Sequence, residues 1–203
     1  IGSGQVLQCP YSAEKARIVI REMADALALE LVEKGLATDQ LTLTVGYDIE
    51  NIQDPERLSR YQGEIKKDRY GRFVPKHSHG TENIGKYTSS TRKIQDAADA
   101  LFHRIVDPGL LIRRLNITAN HVMSEREVPE ADACEQMDLF VDYEIMQEEK
   151  RREEAEQVRE KKIQSTVLDI KRRFGKNAIL KGTALEDGAT SRERNQKIGG
   201  HQA

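Results

Sequence analysis

The sequence predicts an α+β domain of split βαβ order: a four-stranded sheet with two helices on one face and the other face open, followed by an acidic linker and a long charged helix. Three observations carry this expectation. Residues 12–35 and 89–107 each read as one capped amphipathic helix. Residues 41–47 and 111–120 alternate apolar and polar with the period of a half-buried strand. The elements follow one another as strand, helix, strand, strand, helix, strand.

A short strand is expected near Gln5 to Gln8. The first helix is the best specified: Ser12 suits an N-cap, Ala16, Val19, Ile20, Met23, Leu27 and Leu31 recur at helical spacing, and Gly35 ends it. Leu41, Leu43, Val45 and Tyr47 then alternate with Thr42, Thr44 and Gly46, as a strand with one buried face requires. A long polar connection from Asn51 to Gly80 holds the basic run Lys66-Lys67-Asp68-Arg69-Tyr70-Gly71-Arg72, where a small hairpin about Tyr70-Gly71 is the most structure to expect. A strand over 81–88 leads to Ser89-Ser90-Thr91, which opens the second helix. Ile94, Ala97, Ala98, Leu101, Phe102 and Ile105 form its buried stripe, and Asp107-Pro108-Gly109 stops it. On the last strand, Leu111 to Asn120, Leu115, Ile117 and Ala119 share one face and Arg114, Asn116, Thr118 and Asn120 the other.

These elements make residues 1–123 one folded unit. Residues 124–143 read as an acidic linker, residues 144–174 as a charged helix with a thin stripe of Ala155, Val158, Ile163, Val167, Ile170 and Phe174, and residues 175–203 as a loose, Gly-rich tail. The chain has 203 residues, 37% hydrophobic and 33% charged, so a core that uses every segment is not expected. Cys9 and Cys134 have no CxxC spacing, which suits a reducing, cytoplasmic setting. No stretch has the apolar length of a membrane span. The start at Ile1 rather than Met suggests a piece of a longer protein.

The net charge of −2 conceals a segregation: residues 60–93 hold nine Lys/Arg against three Asp/Glu, and residues 124–144 one Arg against eight acids. A basic surface suits a polyanion. Three clusters are candidates for phosphate contact: Arg114 and Asn116 on the open sheet face; Lys66, Lys67, Arg69, Arg72 and Lys76 in the connection; and the helix start Ser89-Ser90-Thr91 with Arg92 and Lys93, whose backbone N–H groups and dipole favour an anion. No base-reading set accompanies them, so contact without strong sequence preference is expected. Asp48-x-Glu50, with Asp54 near, is a weak candidate for Mg²⁺ and a nuclease, and His77-x-His79 a weak zinc pair; neither has partners at a spacing that completes a shell. No nucleophile motif is present, and no catalytic residue is assigned.

Within the acidic linker, Gln136-Met137-Asp138-Leu139-Phe140 carries an apolar pair with no local core. It reads as a peptide ligand, with Leu139 and Phe140 filling a partner's apolar pocket and Gln136 hydrogen-bonding at the rim. A segment that folds back to cap the domain is the alternative.

Together, Gly2-Ser3-Gly4-Gln5-Val6-Leu7, Thr42 to Asp48, His79-Gly80-Thr81, Tyr87 to Thr91, Arg113 to Ile117, Gln136 to Phe140, Phe174 to Gly182 and Ile198 to His201 resemble the C-terminal half of Y-family translesion DNA polymerases, DinB/UmuC-like repair proteins of Gram-positive bacteria. The resemblance implies that the split βαβ unit is a little finger, which grips primer-template DNA near Arg113, Arg114, Lys86 and the Thr88 to Arg92 helix start. It implies that Gln136 to Phe140 is a sliding-clamp motif, with Met137 where Leu is commoner. It also implies a role in DNA damage repair and the SOS response. The family's palm, whose carboxylates hold two Mg²⁺ ions, is not among these residues, so no cofactor and no polymerase activity are expected of this chain alone. A stand-alone adaptor that couples DNA to a protein partner through the charged helix is the alternative.

Overall fold

A computed structural model describes residues 1–68, 70–128, 143–198 and 201–202. The chain runs through β1 (Gly2–Tyr11), α1 (Ala13–Lys34), β2 (Leu36–Tyr47), α2 (Glu50–Gln53), α3 (Pro55–Arg60), β3 (Ile65–Lys67), β4 (Phe73–Pro75), β5 (Ser78–Thr88), α4 (Thr91–Ile105) and β6 (Ile112–Asn120). The long strands pair antiparallel in the order β1-β6-β2-β5. Each helix therefore joins two parallel strands with a third between them, the split βαβ arrangement expected. A fifth strand, β7 (Met123–Ser124), pairs with Leu36 and Ala37 at the start of β2.

The strands are longer than their alternation suggests. β1 starts at Gly2 rather than near Gln5, because Gly2-Ser3-Gly4 has little strand propensity of its own and is held by its pairing to Ile117, Asn116 and Thr118 of β6. β3 and β4 form the hairpin about Gly71, which adopts φ +78°, a region open to glycine.

The inward residues match the alternation: Leu41, Leu43 and Val45, with Leu115, Ile117 and Ala119, are buried against α1 and α4. Ser12 accepts from the Lys15 N–H and Gly35 closes α1 in the left-handed conformation at φ 64°. Between the helices, the Arg17 guanidinium donates two bonds to the Asp99 carboxylate at 2.6 and 2.5 Å and holds that carboxyl below its usual range.

α5 (Tyr143–Phe174) lies across α1 and the start of α4, with only part of its expected apolar stripe covered. Ala155, Val158, Ile163 and Phe174 are exposed, whereas Val167 and Ile170 are half-buried; Glu160, Gln164, Leu168 and Lys171 complete the covered face. That face has helical spacing yet is half polar, so an apolar count finds only part of it. The stretch after Gly175, expected to be loose, is instead docked. Through a 3₁₀ turn (Gly182–Leu185) and α6 (Ser191–Arg194), it runs along the outer side of α1. There, buried Glu22 accepts from the backbone N–H groups of Thr190 at 2.8 Å and Ser191 at 3.1 Å, and Lys181 and Lys15 pair with Asp25 and Asp187. A carboxylate inside a helix stripe reads as a break in amphipathicity; here it is the anchor for the tail. β8 (Lys197–Ile198) and β9 (His201–Gln202) close the chain.

Candidate nucleic-acid interface

The open face of the sheet is built in cross-strand rows. Val6, Arg114 and Gly46 form one; Gly4, Asn116, Thr44 and His79 the next; then Gly2, Thr118, Thr42 and Thr81; then Asn120, Gln40 and Asn83. Side chains are linked along and between the rows: Thr44 Oγ1 and His79 Nδ1 share a bond of 2.9 Å, Thr42 and Thr81 one of 3.2 Å, and Asn120 donates to Thr42 Oγ1 of the next row at 2.6 Å. Among these described residues none is acidic, in a chain with 34 Asp and Glu. The surface is therefore a field of hydroxyls and amides with one cation, Arg114, at its end. Such groups satisfy phosphate and sugar oxygens without reading sequence.

Arg113 and Arg114 sit at a bulge. Gly46 pairs with Arg114 and Tyr47 with Ile112, so Arg113 is the extra residue; β1 breaks register at the same place, between Val6 and Tyr11. Arg114 is exposed and Arg113 lies with Nε 3.7 Å from Asp48 Oδ2. Asp48 is itself buried, and its Oδ1 accepts from the Glu50 N–H at 2.9 Å. Its carboxylate thus serves the first N–H of α2 and Arg113. Among the described residues no group of three or more His, Cys, Asp and Glu could hold a metal ion. Cys9 is exposed and free.

The β3–β4 hairpin stands at this same end. Lys66 and Lys76 flank Glu64 at 3.4 and 2.9 Å, and their bonds, Lys76's first, hold that carboxyl below its usual range. Arg72 donates to Asp68 through Nε at 2.9 Å and a terminal nitrogen at 2.7 Å; Asp68, and at longer range Asp48, keep the guanidinium above its ordinary range. Lys67 lies over the Phe73 ring. Arg69 falls outside the described residues.

The helix start does not join this group. Thr38 pairs with Thr88 and Val45 with Ser78, so Ser89-Ser90-Thr91 lies at the opposite end of the sheet, about 23 Å of strand away. It is also occupied. Where the sequence suggests a phosphate, the Glu160 carboxylate of α5 accepts from Ser90 Oγ at 2.6 Å and from the Arg92 N–H at 3.0 Å. Gln164 donates to the Ser89 carbonyl and to Thr91 Oγ1, both at 2.9 Å, while Ser89 Oγ donates to Glu125 at 2.6 Å and Thr88 Oγ1 accepts from the Ser90 N–H. Ser89, Ser90 and Thr91 are buried. Arg92 and Lys93 pair with Glu156 and Glu153; the Lys93 bond and, at longer range, exposed Lys86 lower the Glu153 pKa. Sequence reasoning finds the helix start but misses Glu160, Gln164 and Glu125, which carry no pattern among so many charged neighbours. Gln136, Met137, Asp138, Leu139 and Phe140 lie outside the described residues.

No curated protein matches the chain. The model of the impB/mucB/samB family C-terminal domain matches residues 1–139, which takes in the whole sheet, both of its helices and the Gln136 to Leu139 segment. No helix of the described residues is long and apolar enough to cross a membrane. On the family match and the split βαβ fold with its open polar face, the chain belongs to the impB/mucB/samB family of UmuC/DinB-like Y-family polymerases, whose C-terminal domain it carries.

Proposed function

We propose that this region grips primer-template DNA through the open face of its sheet and the Arg113–Arg114 end, with little sequence preference, in a translesion polymerase that acts in DNA damage tolerance and the SOS response of the cytoplasm. The observation that carries the reading is the acid-free face of hydroxyls, amides and Arg114 with the basic hairpin beside it. Lys66, Lys67, Arg72 and Asn116 complete this interface. The start of α4 is left out of it because its donors already serve α5. Nucleotidyl transfer belongs to the palm of the parent polymerase, and this region supplies grip.

Fluorescence anisotropy with a labelled primer-template tests this on the full chain. Arg114→Ala is expected to weaken binding about fivefold, by a similar factor on unrelated sequences, and to reduce the slope of log affinity against log salt by about one. An unchanged affinity and slope would remove Arg114 from the interface.

The same reading assigns Gln136 to Phe140 to the sliding clamp, with Leu139 and Phe140 as the anchors in an apolar pocket. Met137 in place of Leu keeps the volume. A peptide of residues 128–143 is expected to bind a bacterial clamp in the micromolar range, and Leu139→Ala with Phe140→Ala to abolish it. Equal signals from both peptides would sink the assignment.

A further inference from the structure

We propose that the β3–β4 ribbon, whose cations join the interface above, also holds the unpaired strand that leaves the duplex, by stacking the Phe73 ring on one of its bases; this rests on the DNA reading above. Phe73 is 56% exposed on a ribbon whose strands have three residues each. A two-stranded ribbon that short has no stability alone. It is nevertheless held firmly. At the tip, Asp68 accepts from the Tyr70 and Arg72 N–H groups at 2.8 and 3.0 Å and grips the Arg72 guanidinium, while Gly71 takes the turn. At the base, the Lys76 N–H and the Tyr61 hydroxyl both donate to the Glu64 carbonyl, and Pro75 is buried. The fold thus orders this segment and spends the order on presenting an aromatic ring to water.

The charge around the ring says what it meets. The described residues of 64–76 hold four Lys/Arg against two acids. Lys67 Nζ lies 5.0 Å from the Phe73 centroid, and Arg72 Cζ lies 5.2 Å from that of Tyr70. With Lys67 over one face of the exposed Phe73 ring, a nucleotide fits the pair: its base stacks on the other face and its phosphate meets the charge. Every base has a π face, so the contact costs no sequence tolerance. Location agrees, since β4 packs on β2 and α2 next to Asp48, which pairs with Arg113 at the arginine end of the open face. A duplex on the sheet would bring its unpaired continuation to the ribbon.

The test compares the full chain on a blunt duplex and on the same duplex with a 5′ overhang whose first unpaired base is 2-aminopurine. The overhang DNA is expected to bind at least about fivefold tighter, with the fluorescence change that accompanies stacking. Phe73→Leu keeps the apolar bulk but cannot stack, so it should erase both the preference and the fluorescence change while leaving blunt-duplex affinity intact. Phe73→Tyr keeps the ring and should retain both. Equal affinity for the two DNAs, or a preference that survives Phe73→Leu, overturns the stacking role of Phe73 and leaves the DNA reading standing. Failure to bind either DNA overturns both.

Discussion

Asn51→Leu is expected to destabilise the domain by about 2–3 kcal/mol and to lower its midpoint of thermal unfolding by roughly 8 °C. Asn51 has no exposed surface. Its amide donates to the carbonyls of Asp48 and Leu111 at 2.9 and 2.8 Å, and its Oδ1 accepts from the Leu111 N–H at 2.8 Å, so it ties the end of β2 to the start of β6. A leucine of similar size cannot replace these bonds. The Leu111 carbonyl keeps the Asp48 N–H and the Asp48 carbonyl keeps the Asn51 N–H, so the cost concentrates on one orphaned donor, the Leu111 N–H. Asn51→Asp keeps that acceptor but buries a charge, which raises the folded-state pKa of the new carboxyl above its unfolded value. Its penalty is therefore largest at pH 7 and shrinks as pH falls through the raised value. Thermal unfolding of both variants at pH 7 and pH 5 checks this: the Asp variant should gain on the Leu variant at the lower pH, and parallel behaviour would refute the account. Because Leu111 leads into Ile112, Arg113 and Arg114, the Leu variant should also weaken DNA binding.

That dependence explains what could and could not be read from the sequence. Leu41 to Tyr47 and Leu115 to Ala119 are legible because burial imposes a period of two, and Arg114 and Asn116 follow as their outward partners. Ser12, Gly35 and Ser90 are legible because helix ends need particular donors and acceptors. The bulge at Arg113 is not, since a register shift is decided by two neighbouring strands at once. Nor is Asn51, one amide in a polar connection. The tail escapes because its anchor, Glu22, lies on the opposite side of a 168-residue separation and looks like a solvated helix charge. The hairpin could be placed from Tyr70-Gly71, and Asp68 adds a local turn signal, since all four of its bonds come from Tyr70 and Arg72; its contact with β2 and α2 has no such signal.

Removing Glu160 and Gln164 together is expected to release the second half of α5 without unfolding the sheet domain. The ion pairs that rim this contact, Lys93–Glu153, Arg92–Glu156, Lys161–Glu125 and Arg172–Glu33, are largely exposed and contribute little. The energy lies with two residues instead. Glu160 puts a carboxylate on the N-terminus of α4, where the Arg92 N–H has no helical partner and the dipole favours negative charge. Gln164, 5% exposed, satisfies the Ser89 carbonyl and the Thr91 hydroxyl. A bond to a charged group is worth about 1.5–3 kcal/mol and a neutral one about 1, so Glu160→Ala with Gln164→Ala should raise the open population of α5 by roughly a hundredfold or more. Hydrogen exchange would show this as lost protection across residues 158–172 with β2 and β6 unchanged, and trypsin would cut sooner after Lys161 and Lys162. Protection that falls equally in the sheet would mean that α5 is part of the core and not a strap upon it. Primer-template affinity should stay within about twofold of the parent chain, because the freed helix start stands about 23 Å of strand from the arginine end. A marked gain would instead put that helix start, once Glu160 has left it, on the DNA.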